Sequence, residues 1–178
     1  MLSKNTFRIS VIVLIYLIAF ICTVFLVSTL SKKQIDAIPN VPINKIEFGD
    51  EKYNQYILYG FSFPENNSWR WTDGMKSKIV FPLKKNQKYE MIFTMQPFPI
   101  KGKIQKVEIT MNDRKIGEIE LINGQYREYS LEIPSNLALE KNTFIFKYAY
   151  AESPKKLSGS NDIRRLGVNF KEIRFQEK

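Results

Sequence analysis

The sequence contains no histidine and only one cysteine, Cys22, among its 178 residues. Without histidine, the chain has no Ser-His-Asp or Cys-His nucleophile pair, no His-ligated metal and no imidazole proton switch. A single cysteine excludes an internal disulfide and a zinc site of four cysteines. These particular kinds of catalytic and metal site are therefore excluded.

Basic residues outnumber acidic ones, 27 Lys and Arg against 18 Asp and Glu, for a formal net charge of +9. Such an excess attracts nucleic acids, anionic glycans or phospholipid headgroups. Here the basic residues are spread along predicted strands and turns, with neither a recognition helix nor a base-stacking motif. No nucleic-acid partner is predicted, which leaves a solvated basic face or attraction to an anionic glycan or lipid.

Residues 9–30 form an uncharged, mostly apolar stretch of 22 residues. A helix of this length is about 33 Å long, enough to cross a hydrocarbon core of about 30 Å. A cleaved signal peptide is the alternative, but its apolar stretch is shorter and ends at a small-x-small site that is missing here. The sequence predicts a cytoplasmic segment at 1–8, a single transmembrane helix at 9–30 and an exported C-terminal domain.

Residues 31–43 contain two prolines and no periodicity, which predicts a semi-extended linker before a domain at 44–178. In that domain, apolar residues alternate with period two, turn residues intervene, and no long helical pattern occurs. The pattern predicts an all-β, jelly-roll-like sandwich of two sheets. The expected strands are Lys45–Phe48, Tyr56–Phe63, Lys78–Leu83, Tyr89–Met95, Lys106–Met111, Lys115–Leu121, Arg127–Ile133, Thr143–Tyr150 and Leu166–Phe175.

The turns and parities of these strands predict further detail. Short turns predict a three-stranded meander formed by the strands at 106–111, 115–121 and 127–133. The apolar face of the last strand changes between Phe170 and Ile173, which predicts a bulge near Lys171. One helical turn capped by Ser135 and another over residues 160–165 are also expected.

The densest group of chemically distinctive residues surrounds Arg70, which both tryptophans of the chain flank and which Glu65 precedes by five positions. Indole faces stack on the C–H faces of sugars, while guanidinium and carboxylate groups hydrogen-bond hydroxyls, so one interpretation is a carbohydrate site. The other is structural: Trp71 closes the sandwich and Arg70 pairs with Glu65 or Asp162. Trp69 is the tryptophan expected to be exposed.

A second group contains Asp162 and Arg164. These residues either join the Arg70 site in space or lock their own loop through an Asp–Arg pair. Both interpretations remain open from the residues alone.

The two groups resemble a β-sandwich domain appended to bacterial glycosyltransferases, and also the C-terminal domain of the phosphoglycerol transferase family that decorates periplasmic glucans. In those families an acidic residue, an Arg-Trp-Thr/Ser motif and a late Asp-x-Arg-x-Leu-Gly motif recur. The matching positions are Glu65, Arg70, Trp71, Thr72, Asp162, Arg164, Leu166 and Gly167. The relatives have a short Gly-containing stretch where this chain has residues 66–69. The resemblance covers residues 56–176, and no catalytic domain accompanies it. It therefore implies that the chain is not an enzyme and has no catalytic residue, metal site or cofactor. Because the families it resembles are bacterial, it also implies that the helix lies in the inner membrane of a bacterium.

The resemblance implies a membrane-anchored accessory protein that binds or positions an envelope glycan or glycolipid during polysaccharide or glycolipid synthesis. The expected ligand-binding residues are Glu65, Trp69, Arg70, Trp71, Asp162 and Arg164. An alternative is a non-catalytic subunit that docks a polytopic membrane glycosyltransferase or phosphoglycerol transferase. A hydrolase or transferase acting alone is the third class, with Glu65 as the carboxylate to test.

Overall fold

The computed structural model describes residues 4–122 and 124–178. These residues form two compact units, one that ends at Pro39 and one that runs from Asn40 to Lys178. We call the second unit the β-domain.

The first unit consists of the helix α1 (Lys4–Ala37). Its segment Ile12–Ala37 is exposed and is long and apolar enough to cross a membrane, a property that a signal sequence shares. The helix includes residues 31–37, which the sequence predicts as linker. Lys, Gln and Ala favour helix, and the first residue that opposes it is Pro39, which also disfavours helical backbone at the preceding residue. The helix therefore ends just before the proline.

The described residues of the β-domain form ten strands, of which the sequence predicts nine. They are β1 (Lys45–Glu47), β2 (Ile57–Tyr59), β3 (Arg70–Asp73), β4 (Lys76–Pro82), β5 (Tyr89–Pro97), β6 (Gln105–Met111), β7 (Arg114–Leu121), β8 (Arg127–Ile133), β9 (Lys141–Tyr148) and β10 (Leu166–Glu177). The strand missing from the prediction is β3, because its alternating residues are Arg, Trp, Thr and Asp rather than an apolar set.

The strands form two antiparallel sheets, which confirms the predicted all-β sandwich. One sheet has the order β1-β10-β5-β8, with β3 also paired to β10; the other has the order β2-β4-β9-β6-β7. Strand β9, the most aromatic one, is central, as its apolar content predicts. Six phenylalanines are completely buried in the core: Phe48, Phe81, Phe93, Phe144, Phe146 and Phe170.

The predicted meander is wrong. Strands β6 and β7 pair with each other, but β8 pairs with β5 in the opposite sheet. Period-two alternation identifies the buried face of a strand and leaves its partner undetermined. A Cβ on Gly117 of β7 would lie 2.8 Å from a side-chain methyl of Leu131 in β8, so the two strands face each other across the core.

The predicted helical turns differ from those observed. A 3₁₀ turn spans Ser135–Leu137, but Pro134 occupies the capping position and no side chain caps it. The turn predicted at 160–165 is not helical; a short helix, α2 (Pro154–Ser158), precedes it and is capped by the Ser153 side chain. A further 3₁₀ turn, Glu51–Tyr56, was not predicted.

The predicted bulge at Lys171 is confirmed. The register of β10 against β5 shifts between Phe170 and Glu172, so Phe170 and Ile173 are both completely buried. The bulge lies where the partner of β10 changes from β3 to β1, and the Lys171 carbonyl accepts a hydrogen bond from the Phe48 N–H at 2.9 Å.

Candidate functional site

An ion-pair cluster joins the loop before β3 to the loop before β10, and it contains three of the predicted site residues. Arg164 donates from Nη1 to Glu65 Oε1 and from Nη2 to Asp162 Oδ2, each at 2.6 Å. Its Nε also donates to both Asp162 oxygens at 3.1 Å. The Asp–Arg lock expected for the second loop therefore exists, and it extends to Glu65, which lies 99 positions away in sequence.

The contacts between Arg164 and Asp162 favour the charged forms of both side chains. Hydrogen bonds from Arg164 hold the pKa of the Asp162 carboxyl below its usual value, and those to Asp162 and Glu65 raise the pKa of the Arg164 guanidinium. The three side chains are each about one-third exposed, so the cluster is accessible to solvent and to a ligand.

A tight turn between Glu65 and Trp69 positions one side of the cluster. The Glu65 carbonyl accepts hydrogen bonds from the N–H groups of Ser68 and Trp69. Asn66 and Asn67 have φ values of 51° and 50°, a left-handed conformation that asparagine tolerates better than most residues. The turn packs against Gly49, where a Cβ would lie 2.2 Å from the Ser68 nitrogen.

Strand β3 directs its arginine inward and its tryptophan outward. Arg70 is 6% exposed, and its Cα pairs with the core residue Phe170, whereas Trp71 is half-buried and pairs with Asn169. The structural interpretation required Arg70 to pair with Glu65 or Asp162. Arg70 pairs with neither, because Arg164 binds both. Instead, Nε of Arg70 donates to the Phe48 carbonyl at 2.7 Å and Nη2 donates to Oδ1 of Asn54.

Each of the two tryptophans is in contact with another aromatic ring. Trp69 is half-buried, with its ring centroid 6.5 Å from that of Tyr126. Trp71 meets the Phe98 ring edge-on at 5.6 Å, on the sheet surface rather than in the core. The Tyr126 hydroxyl donates to Oδ1 of Asn169 at 2.7 Å, and burial, with a contribution from Glu65, raises the pKa of Tyr126 to about 12.

A groove of about 470 Å³ brings two of the predicted residues, Arg70 and Arg164, to one surface. We call it the two-arginine groove. The lining of the two-arginine groove also includes Asn54, Tyr59, Phe61, Phe63 and Asp73. Among the exposed large apolar residues of the described β-domain, Phe63 at 89% and Tyr59 at 48% are the aromatic ones, and both belong to this groove.

Backbone pairing places the aromatic side of the groove beside β3. The Ser62 N–H donates to the Trp71 carbonyl, and the Asp73 N–H donates to the Gly60 carbonyl, each at 2.9 Å. Gly60 has a φ of 77°, and a Cβ there would lie 2.1 Å from the Lys76 carbonyl oxygen. Only glycine fits this bend, which carries the chain from β2 past β3.

Sequence reasoning missed Asn54, Tyr59 and Phe63. One signal was available for the aromatic residues: Tyr59, Phe61 and Phe63 alternate, and Pro64 then ends regular pairing. In the part of the chain that the structure describes, no group of three or more His, Cys, Asp or Glu side chains could hold a metal ion.

No family model matches the sequence, and no curated protein matches it at a significant level. Among solved structures, the chain is similar to a ruminal family GH26 endo-β-1,4-mannanase, with a TM-score of 0.50, 11% identity and coverage of 79% of this chain and 27% of that one. It is also similar to a family 35 carbohydrate-binding module from Clostridium thermocellum, with a TM-score of 0.48, 10% identity and coverage of 76% and 100%. A family GH115 4-O-methyl-α-glucuronidase with specificity for decorated arabinogalactans matches with a TM-score of 0.49, 9% identity and coverage of 79% and 18%.

The chain thus spans less than a third of the length of the mannanase and of the glucuronidase. At 11% identity, the mannanase match shows the fold alone, a β-sandwich.

Proposed function

We propose that this protein is a membrane-anchored accessory protein whose β-domain binds a glycan in the two-arginine groove. The observation that carries the proposal is the pairing of exposed aromatic rings with guanidinium groups in one groove. Phe63 and Tyr59 offer ring faces for the C–H face of a sugar, and Arg164 offers hydrogen-bond donors for hydroxyl or anionic groups. The volume, about 470 Å³, lies in the range of ligand sites, about 300–1,000 Å³.

The same geometry supports a binding role over a catalytic one. Glu65 and Asp162 are both bound to Arg164, and the pKa of Asp162 is lowered, whereas a general acid for glycoside cleavage needs a raised pKa. The carboxylates therefore orient the guanidinium, and the guanidinium contacts the ligand.

We also propose where the protein is located and in which kind of synthesis it takes part. The exposed apolar helix α1 supports a single-pass anchor in the bacterial inner membrane, with the β-domain exported. The sequence resemblance to accessory domains of glycosyltransferases and phosphoglycerol transferases supports a role in envelope polysaccharide or glycolipid synthesis. A reporter fused to the C terminus tests the orientation: alkaline phosphatase activity is expected, and activity of a cytoplasmic reporter would contradict export.

Glycan binding is tested with the full chain in nanodiscs, screened against bacterial envelope polysaccharides by biolayer interferometry. Phe63→Ala and Tyr59→Ala are each expected to weaken binding at least about tenfold, because the apolar burial of an aromatic ring is worth about 1.5–3 kcal/mol. Ile122→Ala is the matched control, since Ile122 is 53% exposed and does not line the groove. If Phe63→Ala and Tyr59→Ala bind as tightly as the parent and the control, the glycan binds outside the groove. If no polysaccharide binds to the parent, the proposal is contradicted.

A second candidate function, docking to a polytopic membrane glycosyltransferase or phosphoglycerol transferase, is favoured by one specific observation. Ile163, between Asp162 and Arg164 of the ion-pair cluster, is 71% exposed, so the loop before β10 presents an apolar tip. Purification from native bacterial membranes distinguishes the two functions. A stoichiometric membrane enzyme that is retained by the parent and lost with Ile163→Asp supports docking, and its absence leaves glycan binding as the function.

A further inference from the structure

The two arginines of the groove differ in how their charge is compensated. Arg164 has two carboxylates at 2.6 Å. Arg70 donates to one backbone carbonyl and one side-chain amide, both neutral, and no described carboxylate forms a salt bridge with it. Arg70 is nevertheless buried, with only 6% of its surface exposed.

A buried cation without a counter-ion is unfavourable, because the lost hydration is replaced only by dipoles. Burial lowers the pKa of Arg70, and the charge of Glu51 opposes that effect without contacting the guanidinium. Arginine stays protonated in proteins, so the positive charge persists.

The hydrogen bonds of Arg70 use Nε and Nη2, and no described group accepts one from Nη1. Arg70 also lines the groove. The acidic residue among the lining side chains is Asp73, whose Oδ1 accepts a hydrogen bond from the Arg165 N–H at 2.9 Å. The groove therefore offers an uncompensated buried charge with a spare donor.

We infer that the groove selects glycans that carry an anionic substituent, a uronate carboxylate or a phosphate ester, and that this substituent binds Arg70. The inference rests on the proposed function and specifies its ligand. A carboxylate or phosphate oxygen would supply the missing counter-ion through a charge-assisted hydrogen bond, which is shorter and stronger than a neutral one. The aromatic rings of Tyr59 and Phe63 would hold the sugar that carries the anion.

The variant that tests the inference keeps Arg70 in place. Asn54→Asp puts a carboxylate where the amide oxygen already accepts from Nη2, so the chain itself supplies the counter-ion. This change is expected to preserve folding, which far-UV circular dichroism and thermal unfolding check. Asn136→Asp is the matched control, since Asn136 is exposed and lies outside the groove.

Binding is measured by isothermal titration calorimetry on the full chain in nanodiscs, with two pairs of probes. Cellobiuronic acid is compared with cellobiose, and glucose 6-phosphate with glucose. In the parent and in Asn136→Asp, the acidic member of at least one pair is expected to bind at least about tenfold more tightly than the neutral member. A preference confined to the first pair identifies a carboxylate, and one confined to the second identifies a phosphate ester. In Asn54→Asp the acidic preference is expected to fall below about twofold.

Three results overturn the inference and are distinguishable from one another. If acidic and neutral sugars bind equally and binding is still lost in Phe63→Ala, the groove binds neutral glycans and only the inference fails. If neither pair binds and no polysaccharide binds, the proposed function fails with it. Retention of the full acidic preference in Asn54→Asp would also overturn it, because the anion would then bind elsewhere than Arg70.

Discussion

At the scale of single residues, the site shows a reversal of the usual preference for burial. The arginine of Trp69-Arg70-Trp71 is buried, and the two tryptophans lie towards the surface. Alternation in the sequence places Arg70 opposite its neighbours but does not say which side faces the core. The side is decided by Phe48 and Asn54, whose oxygens accept the guanidinium hydrogen bonds, and neither residue belongs to the predicted site.

The contacts of Glu65 also depend on the fold. Glu65, Asp162 and Arg164 form one ion-pair cluster, in which the partner of Glu65 is Arg164 and not Arg70. Residues 99 positions apart have no spacing signal, so only the fold determines which arginine the carboxylate meets.

Asp162→Asn is expected to destabilise the β-domain at neutral pH. The variant keeps Oδ1, which accepts from the Arg164 N–H, but loses the charge. We expect a loss of about 1 kcal/mol, at the low end for a hydrogen bond to a charged group, since the carboxylate is 28% exposed and screened. Because its pKa is lowered by folding, the parent gains stability from Asp162 above a pH of about 4 and loses it as the pH falls further.

Urea unfolding of the full chain in detergent, followed by circular dichroism from pH 7 to pH 3, measures this effect. The difference between parent and Asp162→Asn is expected to shrink below pH of about 4. Glu118→Gln is the control, because the ion pairs of Glu118 with Lys106 and Lys115 are long, 3.9 and 3.7 Å, and the side chain is 44% exposed. A pH-independent difference, or an equal loss in the control, would contradict the assigned role of the Asp162 charge.

At the scale of elements, β10 organises one sheet, since β1, β3 and β5 all pair with it. Its bulge could be predicted because Phe170 and Ile173 are three residues apart and both apolar, and a regular strand cannot bury both on one face. The existence of β3 and the path of β8 could not be predicted. Strand β3 carries no apolar alternation, and β8 has the same pattern whichever sheet it joins.

Deletion of Lys171 is expected to leave the β-domain folded. Without it, Val168, Phe170, Ile173 and Phe175 alternate regularly, so the bulge is no longer needed. The expected cost is about 1–2 kcal/mol, for the hydrogen bond from the Phe48 N–H and for the Lys171 Nζ contact above the Tyr126 ring at 5.2 Å.

Deletion of Asn169 is the matched comparison. It brings Val168 next to Phe170, puts their side chains on opposite faces and removes the acceptor of the Tyr126 hydroxyl. Thermal unfolding is expected to stay cooperative in the Lys171 deletion and to be lost in the Asn169 deletion. Loss of cooperativity in both would show that the bulge itself, and not the apolar parity, maintains the strand.

At the scale of the whole molecule, the separation into helix and β-domain was evident from hydropathy, and the sandwich from alternation and turns. The end of the helix was less evident. Polar residues at 31–37 marked the end of the apolar stretch, yet they continue the helix to Ala37, because hydropathy and helix propensity are separate properties. The β-domain then begins with its own core residues, Ile46 and Phe48, both completely buried.

A fragment of residues 40–178 is expected to fold alone and to remain in solution without detergent. Its unfolding temperature should match that of the β-domain in the full chain, because the fragment retains both sheets and every strand. A fragment of residues 49–178, which lacks β1 and Phe48, is expected to unfold at least about 5 °C lower, since deletion of buried apolar side chains costs several kcal/mol. Differential scanning calorimetry compares the three, and equal stability of the two fragments would contradict the role of β1.

The attachment of the β-domain to α1 through β1 has a mechanical consequence. A pull along the chain first loads the backbone hydrogen bonds of Ile43 with Pro82 and of Asn44 with Phe175. It then loads β1, a three-residue strand whose pairs with β10 separate one after another, as in unzipping, and resist little force. The next residue along that path is Phe48, whose carbonyl holds Nε of Arg70. Tension between α1 and the β-domain would therefore separate the Phe48 carbonyl from Arg70 before the two sheets unfold.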